Sequence, residues 1–321
     1  MSGPLTTPIH GWILYSQPAA LLSDKHYEMQ RFIEAAPTLN IQLHIIKPET
    51  VSWVVDTNGP LQLFINGEPQ QIPHFVIPRQ GYNTTYPALA LLNTLKDHDV
   101  FLCNDAQTIQ AARDKYFMHQ QFVRHGLPTP KTMLAPYPIN YEQVEKDIGF
   151  PLILKALNGS QGRGVMLCDT PTALQDMLEF IYSYDRKAST LLQTYIAESR
   201  GRDLRVLVLG GKVLGVIERS SMTEFKANFS RGGNVAPHPI NAEIERLALM
   251  ATKVSGLHMA GVDLLFTHTG YTLCEINSAP GFQGFEKAMG GSIAQAILEY
   301  CLSKVSGQSV IAKGTECDVA I

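Results

Sequence analysis

Cysteines are few in this chain, and their spacing suits no framework. Cys103, Cys168, Cys274, Cys301 and Cys317 are odd in number and scattered, without a C-x-x-C pair. That pattern argues against a disulfide scaffold or a structural zinc site and for a reduced, cytoplasmic setting. Excess charge is also missing. Lys+Arg 26 against Asp+Glu 29 gives a net charge of −3, with no long basic run. Bulk attraction to nucleic acid or to an anionic membrane is therefore not expected. No apolar stretch approaches the roughly 20 residues of a membrane span. The opening MSGPLTTPIHGWILYSQP lacks a basic start, and its apolar run is too short for a secretory signal. There is no G-x-S-x-G, no repeat, no low-complexity tract and no histidine or Cys/His pair at catalytic or metal spacing. Covalent nucleophilic catalysis thus has no support in the sequence.

What is present is an ordinary globular mix, with 45% hydrophobic and 17% charged residues over 321 positions. That length accommodates two or three domains. In the first hundred residues, short apolar runs (WILYS, IQLHII, HFVIPR, VFLCN) alternate with amphipathic segments (SDKHYEMQRFIEAA, PALALLNTLKDHD). Such alternation predicts an open, largely parallel α/β sheet, and Asn66-Gly67 predicts a hairpin. A single helix is predicted over DAQTIQAARDKYFMHQQFVRHG, and the proline-rich LPTPKTMLAPYPIN reads as a linker. Beyond it, strands and helices follow an α+β pattern. DLRVLVLGGKVLGVIER predicts a hairpin at Gly210-Gly211, and GVDLLF with YTLCEIN a second one around His268-Thr269-Gly270.

Three groups of residues carry chemistry. Centring the second hairpin on Thr269 places Asp263 opposite Glu275, with Asn277 on the same face and Cys274 and Ile276 on the other. Two carboxylates and an amide offer only hard oxygens, which favours Mg²⁺ or Mn²⁺ over zinc; a solvated polar sheet face is the alternative. Lys155 precedes the glycine-rich NGSQGRG, which includes Gly162. Its backbone N–H groups could cradle phosphate, though a plain glycine-rich hairpin gives the same string. The third group is Arg202, Asp203, Arg205, Arg219, Lys226, Asn228 and Arg231. These side chains would bind an anion or form surface ion pairs with glutamates such as Glu218 and Glu224. Arg113-Asp114-Lys115 alone would be a solvated helix face.

Taken in order, RDKYFMHQQFVRHGLPTPKT, PLILKALNGSQGRGVML, LLQTYIAESRGRDLRVLVLGGKVLGVIER, KANFSRGGNVAPH and AGVDLL…CEINSAPGFQGFEKAMG resemble the ATP-grasp superfamily, specifically its RimK-type amino-acid ligases. The resemblance covers roughly residues 10–300. It implies an ATP-grasp fold of mixed α/β and α+β class. The implied parts are an N-terminal open α/β (pre-ATP-grasp) domain over 1–105, two α+β subdomains clamping ATP over 106–188 and 189–305, and a flexible tail over 306–321. It also implies ATP and Mg²⁺ (or Mn²⁺) as cofactors. By matching positions, Lys115 and Lys155 would reach the nucleotide, and Gly162 lies in its flap. The backbone of Gln193, Thr194 and Tyr195 would face the adenine, and Asp203 the ribose. Lys226 and Asn228 would contact the nucleotide or its phosphates. Arg205 and Arg231 would hold the γ-phosphate and acyl-phosphate oxygens, and Asp263, Glu275 and Asn277 the metal. The implied activity is ATP-dependent joining of a carboxylate to an amine through an acyl phosphate, adding an amino acid such as glutamate to a peptide, protein or small-molecule amine. A D-alanine–D-alanine-type dipeptide ligase and an inactive nucleotide-binding regulator are the alternatives. Partners would be small molecules or peptides, and homo-oligomers are common in the family.

Overall fold

The computed structural model describes residues 8–23, 25–57, 59–157, 164–221 and 233–312, with side chains to residue 306. The chain divides into two compact units. One comprises Met1–Ile109, Leu257–Met259 and Ser278–Ile321, the other Gln110–Gly256 and Ala260–Asn277.

In the first unit, β1 (Ile9–Leu14), α1 (Tyr27–Ala35) and β2 (Ile41–Ile46) come first. β3 (Val51–Val54), β4 (Gln62–Ile65) and β5 (Glu68–Gln70) form a small antiparallel sheet. Its β4–β5 turn is the expected Asn66-Gly67, with φ of 51° and 87°. Positive φ at both central positions matches the twist of the strands, and Asn and Gly tolerate it best. β6 (Phe75–Pro78), α2 (Tyr86–Lys96) and β7 (Phe101–Leu102) follow. The main sheet is parallel, in the order β2-β1-β6-β7. Trp12, Ile13, Leu14, Phe75, Val76 and Ile77 are all buried. Continuous burial is what a parallel sheet covered on both faces requires.

The helix expected over 105–126 is broken in two, α3 (Ala106–Arg113) and α4 (Lys115–Arg124). Asp114 is extended (φ −83°, ψ 97°), and its carboxylate accepts a hydrogen bond from the Phe117 N–H at 2.9 Å. An aspartate bonded to a backbone N–H ahead of it competes with helix continuation and caps a new helix instead. Lys115 thereby becomes the first residue of α4.

The proline-rich segment read as a linker contains a strand, β8 (Thr132–Ala135). α5 (Tyr141–Asp147), β9 (Leu152–Ala156), β10 (Val165–Cys168), α6 (Pro171–Tyr184) and β11 (Thr190–Thr194) complete a sheet of order β10-β9-β11-β8. β8 lies at its edge, the position that tolerates flanking prolines. Leu152, Leu154, Leu174, Leu178 and Leu192 fill the core between this sheet and its helices.

β12 (Arg202–Leu209), β13 (Lys212–Ser220), β14 (Asn234–Pro237), α7 (Ala242–Ser255), β15 (Met259–Thr267) and β16 (Gly270–Asn277) follow. Their sheet has the order β14-β13-β12-β15-β16. The Asn241 side chain caps α7 by accepting from the Ile244 N–H at 2.9 Å, and Gly256 ends the helix at φ 71°. Helices α4 and α7 both pack on β16. The chain then returns to the first unit with α8 (Gln283–Met289) and α9 (Ile293–Ala312), and α9 packs on α1 and β7. The stretch expected as a tail from residue 306 is helical as far as Ala312.

Candidate active site

Asp263 and Glu275 do face each other, but the turn is not the cause. The β15–β16 hairpin turns through His268 and Thr269, with Thr267 opposite Gly270. That register alone would set Asp263 against Cys274. A bulge between Asp263 and Leu264 corrects it: Leu264 faces Leu273, while Asp263 faces Glu275. Cys274 is the extra residue. Leu273 and Ile276 are buried, whereas the neighbours Cys274 and Glu275 are both half-buried. The expected alternation, with Cys274 facing away from Glu275, is thus overturned. Cys274 Sγ lies 3.8 Å from Nζ of Lys155 on β9, so the bulge turns the thiol toward the lysine.

The cations that neutralise Asp263 are guanidiniums. Arg205 Nε and Nη2 donate to its Oδ1 and Oδ2 at 2.7 and 2.6 Å. Arg219 Nη2 adds a third bond to Oδ2 at 2.9 Å. Arg219 also pairs with Asp203, through Nε to Oδ1 at 2.6 Å and Nη2 to Oδ2 at 2.8 Å. The β12–β13 register sets Asp203 directly opposite Arg219. Fork-to-fork pairs of this kind are among the strongest side-chain hydrogen bonds. Of the surface ion pairs considered from sequence, Arg202 with Glu218 forms at 4.0 Å.

Burial alone would raise the pKa of Asp263, which is 3% exposed. The charges and hydrogen bonds of Arg205 and Arg219 outweigh it and hold the carboxyl at about 2. For Asp203, burial wins and moves the pKa up, because Arg219 is shared with the Asp263 charge. Burial likewise pushes the Cys274 thiol up to about 11 despite Lys155. At neutral pH it is therefore a thiol, without the thiolate a nucleophile needs.

Lys115 and Lys155 complete the cluster. Lys115 feels burial, which lowers its pKa, against the attraction of Glu275. Lys155 is 7% exposed. Among the described residues, four cations (Lys115, Lys155, Arg205, Arg219) thus stand against three carboxylates (Asp203, Asp263, Glu275), an excess of one positive charge. Such a site favours an anion, and more so with a bound divalent cation. Among the described residues, Glu275 Oε1 accepts a single bond, long at 3.3 Å, from Asn277 Nδ2. Glu275 and Asn277 therefore present hard oxygens that could hold a metal, while both oxygens of Asp263 are already engaged. Among the described residues, no group of three His, Cys, Asp or Glu could hold one unaided.

Gln193 is buried, and its amide donates to His119 Nε2 at 2.7 Å and to Thr132 Oγ1 at 2.8 Å. Its side chain is thus spent inside the unit, and β11 is paired on both sides, with Gln193 opposite Ile153 and Thr132. Thr194 and Tyr195 are half-buried, and Tyr195 Oη is buried without a partner among the described residues. Burial, reinforced by Lys155, lowers the His119 pKa to about 4. Between pH 6.5 and 4 the unfolded chain takes up a proton that the folded chain does not, so stability falls on acidification. The expected loss across that window is on the order of 3 kcal/mol. It should be absent in His119→Gln, as urea midpoints of the two proteins across that range will show. Parallel pH profiles would contradict the assignment.

Gly162, Lys226, Asn228 and Arg231 lie outside the described residues. Arg219 is the site residue that motif matching passed over. Counting back from the Gly210-Gly211 turn alone would set Glu218 against Asp203; a bulge between Leu207 and Val208 shifts the register by one residue and puts Arg219 there instead, so spacing carried no signal for it.

A family model described as RimK-like ATP-grasp domain matches residues 112–301, and one described as RimK PreATP-grasp domain matches 19–109. A probable alpha-L-glutamate ligase of Legionella pneumophila (strain Corby) is 34% identical over 292 residues, covering 89% of this chain and 95% of its own. Another, from Parasynechococcus marenigrum (strain WH8102), is 34% identical over 302 residues. That alignment spans 93% of this chain but 64% of the longer relative. Among solved structures, the ATP-grasp ligase PsnB, complexed with a minimal precursor, Mg and ADP, superposes with a TM-score of 0.69 at 15% identity, covering 92% of this chain and 98% of that one. D-alanine–D-alanine ligase from Bacillus anthracis gives 0.66 at 15% identity, covering 95% and 100%. These distant structures share the fold. No helix among the described residues is long and apolar enough to cross a membrane. With both of its parts matched, the chain belongs to the RimK-like ATP-grasp family of ligases, which use ATP to form carbon–nitrogen bonds.

Proposed function

We propose that this protein activates a carboxylate with ATP and joins it to an amine, with glutamate as the amino acid added. The name shared by the relatives suggests glutamate. The observation that carries the chemistry is the pairing of Asp263 with Glu275 beside Arg205, Arg219 and Lys155.

In this reading Lys115 and Lys155 hold nucleotide phosphates, and the backbone of Gln193–Tyr195 lies along the adenine. Arg205 can exchange Asp263 for a phosphate oxygen, because a guanidinium binds either oxyanion through the same fork. Asp263, once released, joins Glu275 and Asn277 as a third oxygen donor. Mg²⁺ suits this set, since it is commonly bound by one or two carboxylates together with substrate phosphates. When bound, the metal would neutralise charge on the transferred phosphoryl group. Asp203 would take the ribose, and Arg231 would join Arg205 on the acyl phosphate. Lys226, Asn228 and the flap carrying Gly162 would close over the nucleotide and exclude water.

The reaction is written in two steps. A carboxylate oxygen attacks the γ-phosphorus and ADP leaves. The amine nitrogen then attacks the acyl carbon, and phosphate departs with the bonding electron pair. No side chain forms a bond to substrate; positioning and charge stabilisation account for the catalysis. A cytoplasmic location, where ATP is plentiful and thiols stay reduced, belongs to the same proposal.

The test is a screen of amino acids against peptide and small-molecule amines with ATP and Mg²⁺, read by mass spectrometry. Glutamate added through an amide bond, with one phosphate released per bond, is the expected result. ATP binding without a product for any pair would favour a nucleotide-binding regulator.

A further inference from the structure

We propose that Arg79, in the first unit, anchors a carboxylate-binding site for the amino-acid co-substrate; the identity of that ligand, though not the site, rests on the ligase reading.

The position follows from topology. In the order β2-β1-β6-β7 the chain moves outward from β1 to β2 and then crosses to the other side of β1 with β6. The direction reverses between β1 and β6. In open parallel sheets, ligands bind beyond the carboxyl ends of the strands at that point. β1 ends at Leu14 and β6 at Pro78, and the Arg79 N–H donates to Leu14 O at 2.8 Å. Arg79 therefore follows directly on the end of β6, at this reversal point.

Its side chain is built for a partner it does not have. Arg79 is 9% exposed, and among the described residues no carboxylate lies within ion-pair distance. Nη2 donates to Pro280 O at 2.8 Å, and the guanidinium carbon lies 5.6 Å from the centre of the Phe282 ring. Nε and Nη1 are buried and, among the described residues, have no hydrogen-bond partner. Glu28, whose charge Arg79 feels, spends its Oε1 on the Phe282 N–H at 3.2 Å. A buried guanidinium with unused donors costs several kcal/mol, and it cannot escape by losing its proton.

The surroundings are otherwise well satisfied. Asn104, 0% exposed, donates to the Met259 and Ser278 carbonyls at 2.8 Å and accepts from the His258 and Met259 N–H groups at 2.6 and 3.0 Å. Arg79 and the neighbouring Gln80, whose Oε1 is also buried and unpartnered, are the exceptions. Unused donors on one residue and an unused acceptor on the next would suit a molecule carrying a carboxylate together with an N–H or O–H. A planar carboxylate matches the planar guanidinium fork, and an amino acid offers both kinds of group.

The test uses full-length protein without ATP. Thermal midpoints are followed while L-glutamate, succinate or inorganic phosphate is added. Glutamate and succinate should stabilise the wild type, and phosphate should not. In Arg79→Met the response should vanish. Arg79→Lys keeps a charge but not the fork, and should need at least about ten-fold more glutamate; it also serves if the methionine variant does not fold. In turnover assays Arg79→Lys should raise the KM for the amino acid and leave that for ATP unchanged. A wild type indifferent to both carboxylates, a response to phosphate alone, or full affinity in Arg79→Lys would each overturn the site. Absence of product with any amino acid would count against the ligase reading instead, since the binding measurement needs no turnover.

Discussion

Asp263→Ala is expected to lower the free energy of unfolding by about 3–5 kcal/mol, the usual cost of removing one partner from a buried ion pair. The reason is specific. Arg219 would keep Asp203, but the Arg205 fork would lose both of its acceptors on Asp263 while remaining mostly buried. A displaced urea midpoint with an unchanged m-value will check this. Asp263→Asn keeps the shape and one acceptor but not the charge, so it should fall between alanine and wild type. The acid dependence has a definite sign. The folded carboxyl is held at about 2, against 3.8 ordinarily. Its contribution of roughly 2 kcal/mol is present above pH 3.8 and lost as the pH falls through 2. The alanine variant should lack that step. A variant as stable as wild type would mean that the Arg205–Asp263–Arg219 network holds nothing together.

Glu275→Gln is expected to act on catalysis alone. The side chain is half-buried, and among the described residues its one direct hydrogen bond to a neighbouring side chain, from Asn277, is long. Removing its charge should leave the midpoint within about 1 kcal/mol of wild type. If Glu275 contributes a metal-binding oxygen, turnover should drop by at least about 10²–10³-fold. Raising the Mg²⁺ or Mn²⁺ concentration should recover part of the loss, since a neutral amide still offers one oxygen. Steady-state phosphate release over a metal titration measures both effects. Undiminished turnover would remove Glu275 from the metal site. The two substitutions thus separate a carboxylate whose loss should cost stability from one whose loss should spare it, although they face each other across one ribbon.

The parallel sheet and the Asn66-Gly67 and Gly210-Gly211 turns were legible because local rules decide them: apolar runs between amphipathic segments, and residues that accept positive φ. The Asp263–Glu275 pairing was legible for a reason that proved incidental. A three-residue loop and a two-residue loop followed by a bulge give the same register at that rung. They differ in where they send Cys274, and only tertiary packing decides that. The break at Asp114 was hidden because a helix-capping aspartate also occurs within helices, and β8 was hidden among prolines that only an edge strand tolerates. The pairing of Asp263 with two arginines could not be read from spacing, because it joins β12, β13 and β15, segments far apart in sequence. Arg79 was equally silent: in sequence it is one arginine after a strand, and only burial without a partner distinguishes it.

In the proposed reaction a carboxylate is activated as an acyl phosphate at the ribbon of Asp263 and Glu275. Oxygen-18 in the carboxylate of the donor amino acid, followed through one round of turnover, tests it most directly. One labelled oxygen is expected in the inorganic phosphate released for each amide formed, and none in recovered nucleotide. Label found in AMP, or unlabelled phosphate accompanying product, would contradict it.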